Sequence, residues 1–192
     1  MQLFGSKTSP YVRRIRLFLE NRLFEFVVID IFSSEGRSIL QELSPILKIP
    51  VLIDGHQKIF DSRVIYRYLC AKFSLIAESL NWDQENILSI IDGVNDSLIN
   101  RLLLNRSGIE LPPASLLDRG HQERITQSLG LLNSLVKNHE FENWNYLSIS
   151  LYSLLDWAQF RELLVISPYP FLVGFYERNR TRKIVLDTDP RA

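Results

Sequence analysis

Two short motifs hold the residues best suited to chemistry. The first is Ser9-Pro10-Tyr11-Val12, the second Asp61-Ser62. Proline is tolerated at the first helical position, so Ser9 stands just before a helix that begins at Pro10. A hydroxyl there can donate a hydrogen bond to an anion, and the positive end of the helix adds to the attraction. The simpler reading makes Ser9 an N-cap, a position that favours serine. Tyr11 carries a phenol that could donate in its place. Asp61-Ser62 also precedes an apolar helical pattern. Ser62 offers a hydroxyl and an N–H at a helix N-terminus, which is an anion site, and Asp61 adds a negative charge. Capping accounts for either residue singly, and the two roles are compatible.

Other chemistries are excluded. The chain of 192 residues has one cysteine, Cys70, so it can form neither an internal disulfide nor a cysteine metal site. The Cys-x-x-Cys of a dithiol redox centre is missing from the turn that holds Ser9 and Val12. Cys70, beside Leu69 and Phe73 in a helical pattern, reads as a buried, inert thiol. His56, His121 and His139 are scattered through polar surroundings and suggest no metal site. The 22 basic and 22 acidic residues cancel, so nothing advertises a nucleic acid. No stretch approaches the roughly 20 apolar residues needed to span a bilayer. Met1 to Gly5 lack the basic start and apolar run of a signal peptide. The expectation is a soluble protein of a reducing compartment, the cytoplasm.

The elements that must position these residues follow from periodicity. Residues 2–4 form a short apolar strand, and Gly5 to Ser9 a turn. Val12, Ile15, Phe18 and Leu19 make a helical stripe, with Arg13, Arg14 and Arg16 on other faces. Residues 26–30 read as a strand buried on both sides, and a short helix falls around 38–43 before Ser44-Pro45 breaks it. Ile49 to Ile53 form a strand that opens with Pro50. Asp54-Gly55 signals a two-residue hairpin, which His56 and Gln57 could lengthen, leading to Lys58-Ile59-Phe60. The helix after Asp61-Ser62 turns Val64, Ile65, Tyr68, Leu69 and Phe73 inward. After residue 74 alternation disappears. Helices are expected over 82–106, 115–139, 146–162 and 169–182. Pro112-Pro113 parts the first two of these, and Pro168 and Pro170 part the last two. Residues 74–81 are the expected linker. Trp82, Trp144 and Trp157 read as packing residues.

Ser9-Pro10-Tyr11-Val12-Arg13-Arg14, Ile49-Pro50-Val51-Leu52 and Asp61-Ser62-Arg63-Val64-Ile65, in that order and spacing, resemble the N-terminal half of bacterial glutathione transferases. More loosely, Asp92 to Asp96 and Asn145 to Ser148 resemble the family's helical half. Ser148 replaces the acid of its usual capping box and leaves Asn145 to cap alone.

The resemblance implies an α/β thioredoxin-like domain over 1–74 and an all-α domain over 82–192. The reaction it implies is attack of the glutathione thiolate on a small hydrophobic electrophile, with no metal. Ser9 would favour the thiolate, with Tyr11 the alternative donor or part of a second-substrate pocket between the halves. Pro50 resembles the family's cis-proline, which frees the backbone of Ile49 to pair with the cysteinyl part of glutathione. Ser62 would take the α-carboxylate and Asp61 the α-ammonium. Lys48 could reach the glycyl carboxylate, with Arg13 and Arg37 behind it. Glutathione is thus the expected co-substrate, and a homodimer the expected assembly. The rival implication is a non-catalytic regulator on the same fold, as the stringent-starvation proteins act on RNA polymerase.

Overall fold

The computed structural model describes residues 1–76, 79–112 and 115–192. Residues 77 and 78 of the expected linker lie outside that set, as does Pro113 of the Pro112-Pro113 break. By its internal contacts the chain divides into two compact units, Met1–Ser79 with Arg182–Ala192, and Leu80–Thr181.

The first unit follows the order β1 (Gln2–Gly5), α1 (Pro10–Phe18), β2 (Glu25–Val28), α2 (Ser34–Leu43), β3 (Val51–Asp54), β4 (Gln57–Ile59) and α3 (Ser62–Lys72). Its sheet runs β2-β1-β3-β4, with β1 parallel to β2 and antiparallel to β3, and β3 antiparallel to β4. Side chains alternate between the two faces of each strand. Leu3 and Leu52, paired in register, are fully buried on one face. Phe4 and Val51 pair next along and join Ile29, Leu40 and Leu43 in a core beneath α2. Ile65, Tyr66 and Leu69 supply the buried face of α3, and Tyr66 meets Phe18 of α1 edge-to-face at 5.0 Å.

Several expectations need correction. The strand over 26–30 is not buried on both sides. It lies at the sheet edge as β2, and Val28 is 53% exposed. Val64 points outward and Tyr66 takes the inner position expected of it. The hairpin turn is Gly55-His56, one residue later than expected, because Asp54 still pairs with Gln57. The helix around 38–43 starts earlier, at Ser34, where the Ser33 hydroxyl accepts from the Gly36 N–H at 3.0 Å. Cys70 is only half-buried. Arg13 and Arg14, expected away from the apolar stripe, are both buried.

A Cβ at Gly36 would lie 1.9 Å from the Asp30 carbonyl oxygen. Gly36→Ala should therefore lower stability by about 1–3 kcal/mol through overpacking, read from urea melts. An unchanged midpoint would contradict the close approach.

Asp54 ties the hairpin to α3. Tyr68 Oη donates to Asp54 Oδ2 at 2.7 Å, and Lys72 Nζ reaches the same oxygen at 2.6 Å. The Lys72 hydrogen bond, then that of Tyr68, hold the Asp54 carboxyl below its ordinary value. The bond to Asp54 raises the Lys72 ammonium in turn. A lowered carboxyl contributes stability above its unfolded value, about pH 4, and loses it as pH falls through the folded value. A raised ammonium contributes below its unfolded value, about pH 10, and loses it as pH rises further. Protection of the hairpin amides, taken relative to the intrinsic exchange rate at each pH, should fall below about pH 4 and above about pH 10. In Asp54→Asn both dependences should flatten.

The second unit is helical: α4 (Trp82–Arg106), α5 (Leu116–Lys137), α6 (Tyr146–Phe160) and α7 (Pro170–Asn179). Every residue of α6 from Tyr146 to Ala158 is buried, including the polar Ser148, Ser150, Ser153 and Asp156. Asn145 caps it, accepting from the N–H groups of Leu147 and Ser148, each at 3.1 Å. The Ser148 hydroxyl donates to the Asn143 carbonyl at 2.6 Å. The helix expected over 169–182 ends at Asn179, and a separate α8 (Lys183–Asp187) follows and belongs to the first unit. Trp157 is buried as expected and Trp144 packs against Tyr152, but Trp82 is 85% exposed at the first position of α4.

Candidate functional site

Strand directions bring the singled-out residues to one end of the sheet. β1 finishes at Gly5 and leads through a turn to Ser9. β3 runs the opposite way, and its first residue, Val51, pairs with Phe4, which puts Ile49 and Pro50 beside that turn. β4 runs back again, and Ile59 pairs with Leu52, so Phe60, Asp61 and Ser62 emerge at the same end. The Ile49–Pro50 peptide bond is cis. Ile49 and Phe60 pack on one core cluster.

Ser9 has extended backbone and caps α1, its Oγ accepting from the Val12 N–H at 3.3 Å. A hydroxyl that accepts still has its own proton to donate. Capping and donation to a ligand are thus compatible at this one atom. Tyr11 is half-buried, and its ring lies under the Arg14 guanidinium, 4.7 Å from the centroid.

Asp61 caps α3. Its Oδ1 accepts from the N–H groups of Arg63 at 3.0 Å and Val64 at 3.4 Å. Among the described residues Oδ2 has no protein partner, and the side chain is exposed. Ser62 is buried, and its hydroxyl accepts from Arg14 Nη2 at 2.6 Å. Arg14, 2% exposed, thus sets a positive charge beside the N-terminus of α3, already the positive end of that helix. The two together suit an anion.

Arg14 did not stand out in the sequence, where it was one of three arginines in α1. The other candidate cations differ. Arg13 donates from Nη2 to the Val185 carbonyl at 3.0 Å and from Nε to Thr188 Oγ1 at 3.5 Å, which fixes the C-terminal segment on α1. Lys48 stands exposed beside Ile49, and Arg37 is exposed on α2. No group of histidine, cysteine, aspartate and glutamate among the described residues could hold a metal ion. No described helix is long and apolar enough to cross a membrane.

The first unit is therefore a thioredoxin-like α/β sheet with an anion-attracting edge, joined in sequence to a helical unit, which is the plan of the glutathione-transferase fold. Residues 3–79 match the family model of the glutathione S-transferase N-terminal domain. Glutathione S-transferase 3 of Zea mays is 30% identical over 77 residues, which cover 38% of this chain and 35% of the maize protein. The matched segment thus spans about a third of that relative. A glutathione S-transferase from Methylobacillus flagellatus KT, solved with glutathione bound, resembles this chain with a TM-score of 0.84 at 20% identity, covering 98% of each. A glutathione transferase family member from Pseudomonas fluorescens Pf-5, with bound glutathione, gives 0.80 at 23% identity, again over 98% of each. These likenesses establish the fold across the whole chain.

Proposed function

We propose that this protein binds glutathione at the sheet end formed by Ser9, Ile49-Pro50 and Asp61-Ser62, and activates its thiol for attack on a small hydrophobic electrophile. The observation that carries the reading is the buried Arg14–Ser62 hydrogen bond at the N-terminus of α3, opposite the Ser9 cap of α1 on the same sheet end. The α-carboxylate of glutathione lies at the α3 N-terminus, and Asp61 Oδ2 takes the α-ammonium. The backbone of Ile49 pairs with the cysteinyl unit as an added strand does. Lys48 reaches toward the glycyl carboxylate. Ser9 donates to the sulfur, and Tyr11 is the alternative donor. The reaction balances simply: the thiolate forms the carbon–sulfur bond, the electrophile's leaving group departs with its electron pair, and the thiol proton passes to solvent. We assign the thiol chemistry to residues 1–74 and the choice of electrophile to the helical region 82–192. In this reading the protein is a cytoplasmic, homodimeric, detoxifying transferase that needs no metal.

An absorbance assay with glutathione and 1-chloro-2,4-dinitrobenzene tests the activity. Saturable turnover above the uncatalysed rate supports it, and none with this or other aryl and alkyl halides opposes it. Asp61→Asn separates charge from capping, because asparagine caps as well as aspartate. The exposed pair with the α-ammonium is worth up to about 1 kcal/mol, so affinity for glutathione should fall about fivefold with little change in melting temperature. Unaltered affinity would remove Asp61 from the site.

A further inference from the structure

Where the C-terminal half of α4 meets the start of α5, the second unit holds a cavity of about 340 Å³, within the size range of small-ligand pockets. Leu103, Leu104 and Leu117 give it apolar walls, and Asn100, Ser107 and His121 supply polar groups. His121 is 5% exposed, and neither ring nitrogen has a hydrogen-bond partner among the described residues. A buried imidazole left in that state carries an uncompensated desolvation cost, which a ligand bearing hydrogen-bonding oxygens would relieve. The charge around it has a sign. Burial first, then Arg124 on α5 and Arg101 on α4, push His121 toward its neutral form, and Asp118 on α5 opposes them. Arg124 is held by a bond of 3.0 Å from Nη1 to Ser97 Oγ. Two guanidinium groups against one carboxylate disfavour a cation and attract an anion.

We propose that this cavity is a binding site for a small apolar carboxylate, its hydrocarbon part against the three leucines and its carboxylate accepting hydrogen bonds from His121, Asn100 and Ser107. The site lies wholly within Leu80–Thr181 and uses none of the residues assigned to glutathione. A bound carboxylate beside the imidazole favours the imidazolium, so binding takes up a proton and tightens as pH falls through the histidine range.

The probe is 4-phenylbutyrate, titrated into the full chain by calorimetry, with the His121 imidazole resonances followed by NMR. One equivalent should bind saturably, shift the His121 signals and bind about tenfold tighter at about pH 6 than at about pH 8. The uncharged 4-phenylbutyramide should bind at least about tenfold more weakly, since it forfeits a charge-assisted hydrogen bond. Leu117→Glu, on the half-exposed wall, should abolish binding without disturbing the fold. Equal affinity for acid and amide, unmoved His121 resonances, retained binding in Leu117→Glu or no saturation each overturns the proposal.

Discussion

Replacing Ser9 with alanine should lower the rate of glutathione conjugation roughly 10- to 100-fold at about pH 6.5, with affinity for glutathione nearly unchanged. A free thiol titrates near 8.5, so only about 1% is thiolate at that pH. A hydrogen bond to a charged group is worth about 1.5–3 kcal/mol, which is about one to two pKa units of thiol. That is the whole of the expected loss. It should appear as a rate profile whose apparent pKa moves up toward the free value. The same hydroxyl caps α1, and losing the cap costs about 1 kcal/mol of stability. The cap loss shows in thermal melts and leaves the pH profile alone, so the two roles separate. Ser9→Thr keeps the hydroxyl and should restore most of the rate. If Ser9→Ala turns over normally, the donor is another group, and Tyr11→Phe becomes the deciding variant.

The second large effect should come from Arg14. Its guanidinium is buried, donates to Ser62 at the N-terminus of α3 and covers the Tyr11 ring. Arg14→Met keeps much of the volume and removes the charge. Affinity for glutathione should fall roughly 10- to 100-fold, the value of one charge-assisted interaction with the α-carboxylate region. Arg14→Lys should not restore it, because a single ammonium on a flexible stem does not reproduce the planar fork. Ser62→Ala alone should cost less, and the double variant should fall short of the sum, since the two side chains share one bond. Additive losses would show that Arg14 acts apart from Ser62.

Much of this arrangement was legible in the chain. Ser9, Pro50 and Asp61 sit at element boundaries, where few residue types satisfy the backbone, so local chemistry marks them. Asn145 is another such boundary, and it does cap α6. Arg14 escaped because its significance is a partner 48 positions away, and no local rule pairs them. The apolar run over 26–30 looked central, yet β2 is an edge strand. Edge position is decided by which strands pair, and composition does not carry that. For His121 the signal was present. His121, Ile125, Leu129 and Leu132 are the buried residues of α5, spaced by four, four and three, which is one helix face. The sequence neighbours of His121 are mostly polar, and only its neighbours on the helix mark the face as buried. Trp82 shows the reverse, since a large aromatic at the first helical position can face solvent.

The most direct test of the central claim is a calorimetric titration of the purified protein with reduced glutathione. The account predicts saturable binding at one site per chain, weakened in Asp61→Asn and more strongly in Arg14→Met. Absence of binding at millimolar glutathione would contradict it, and would leave the fold in place without the glutathione chemistry.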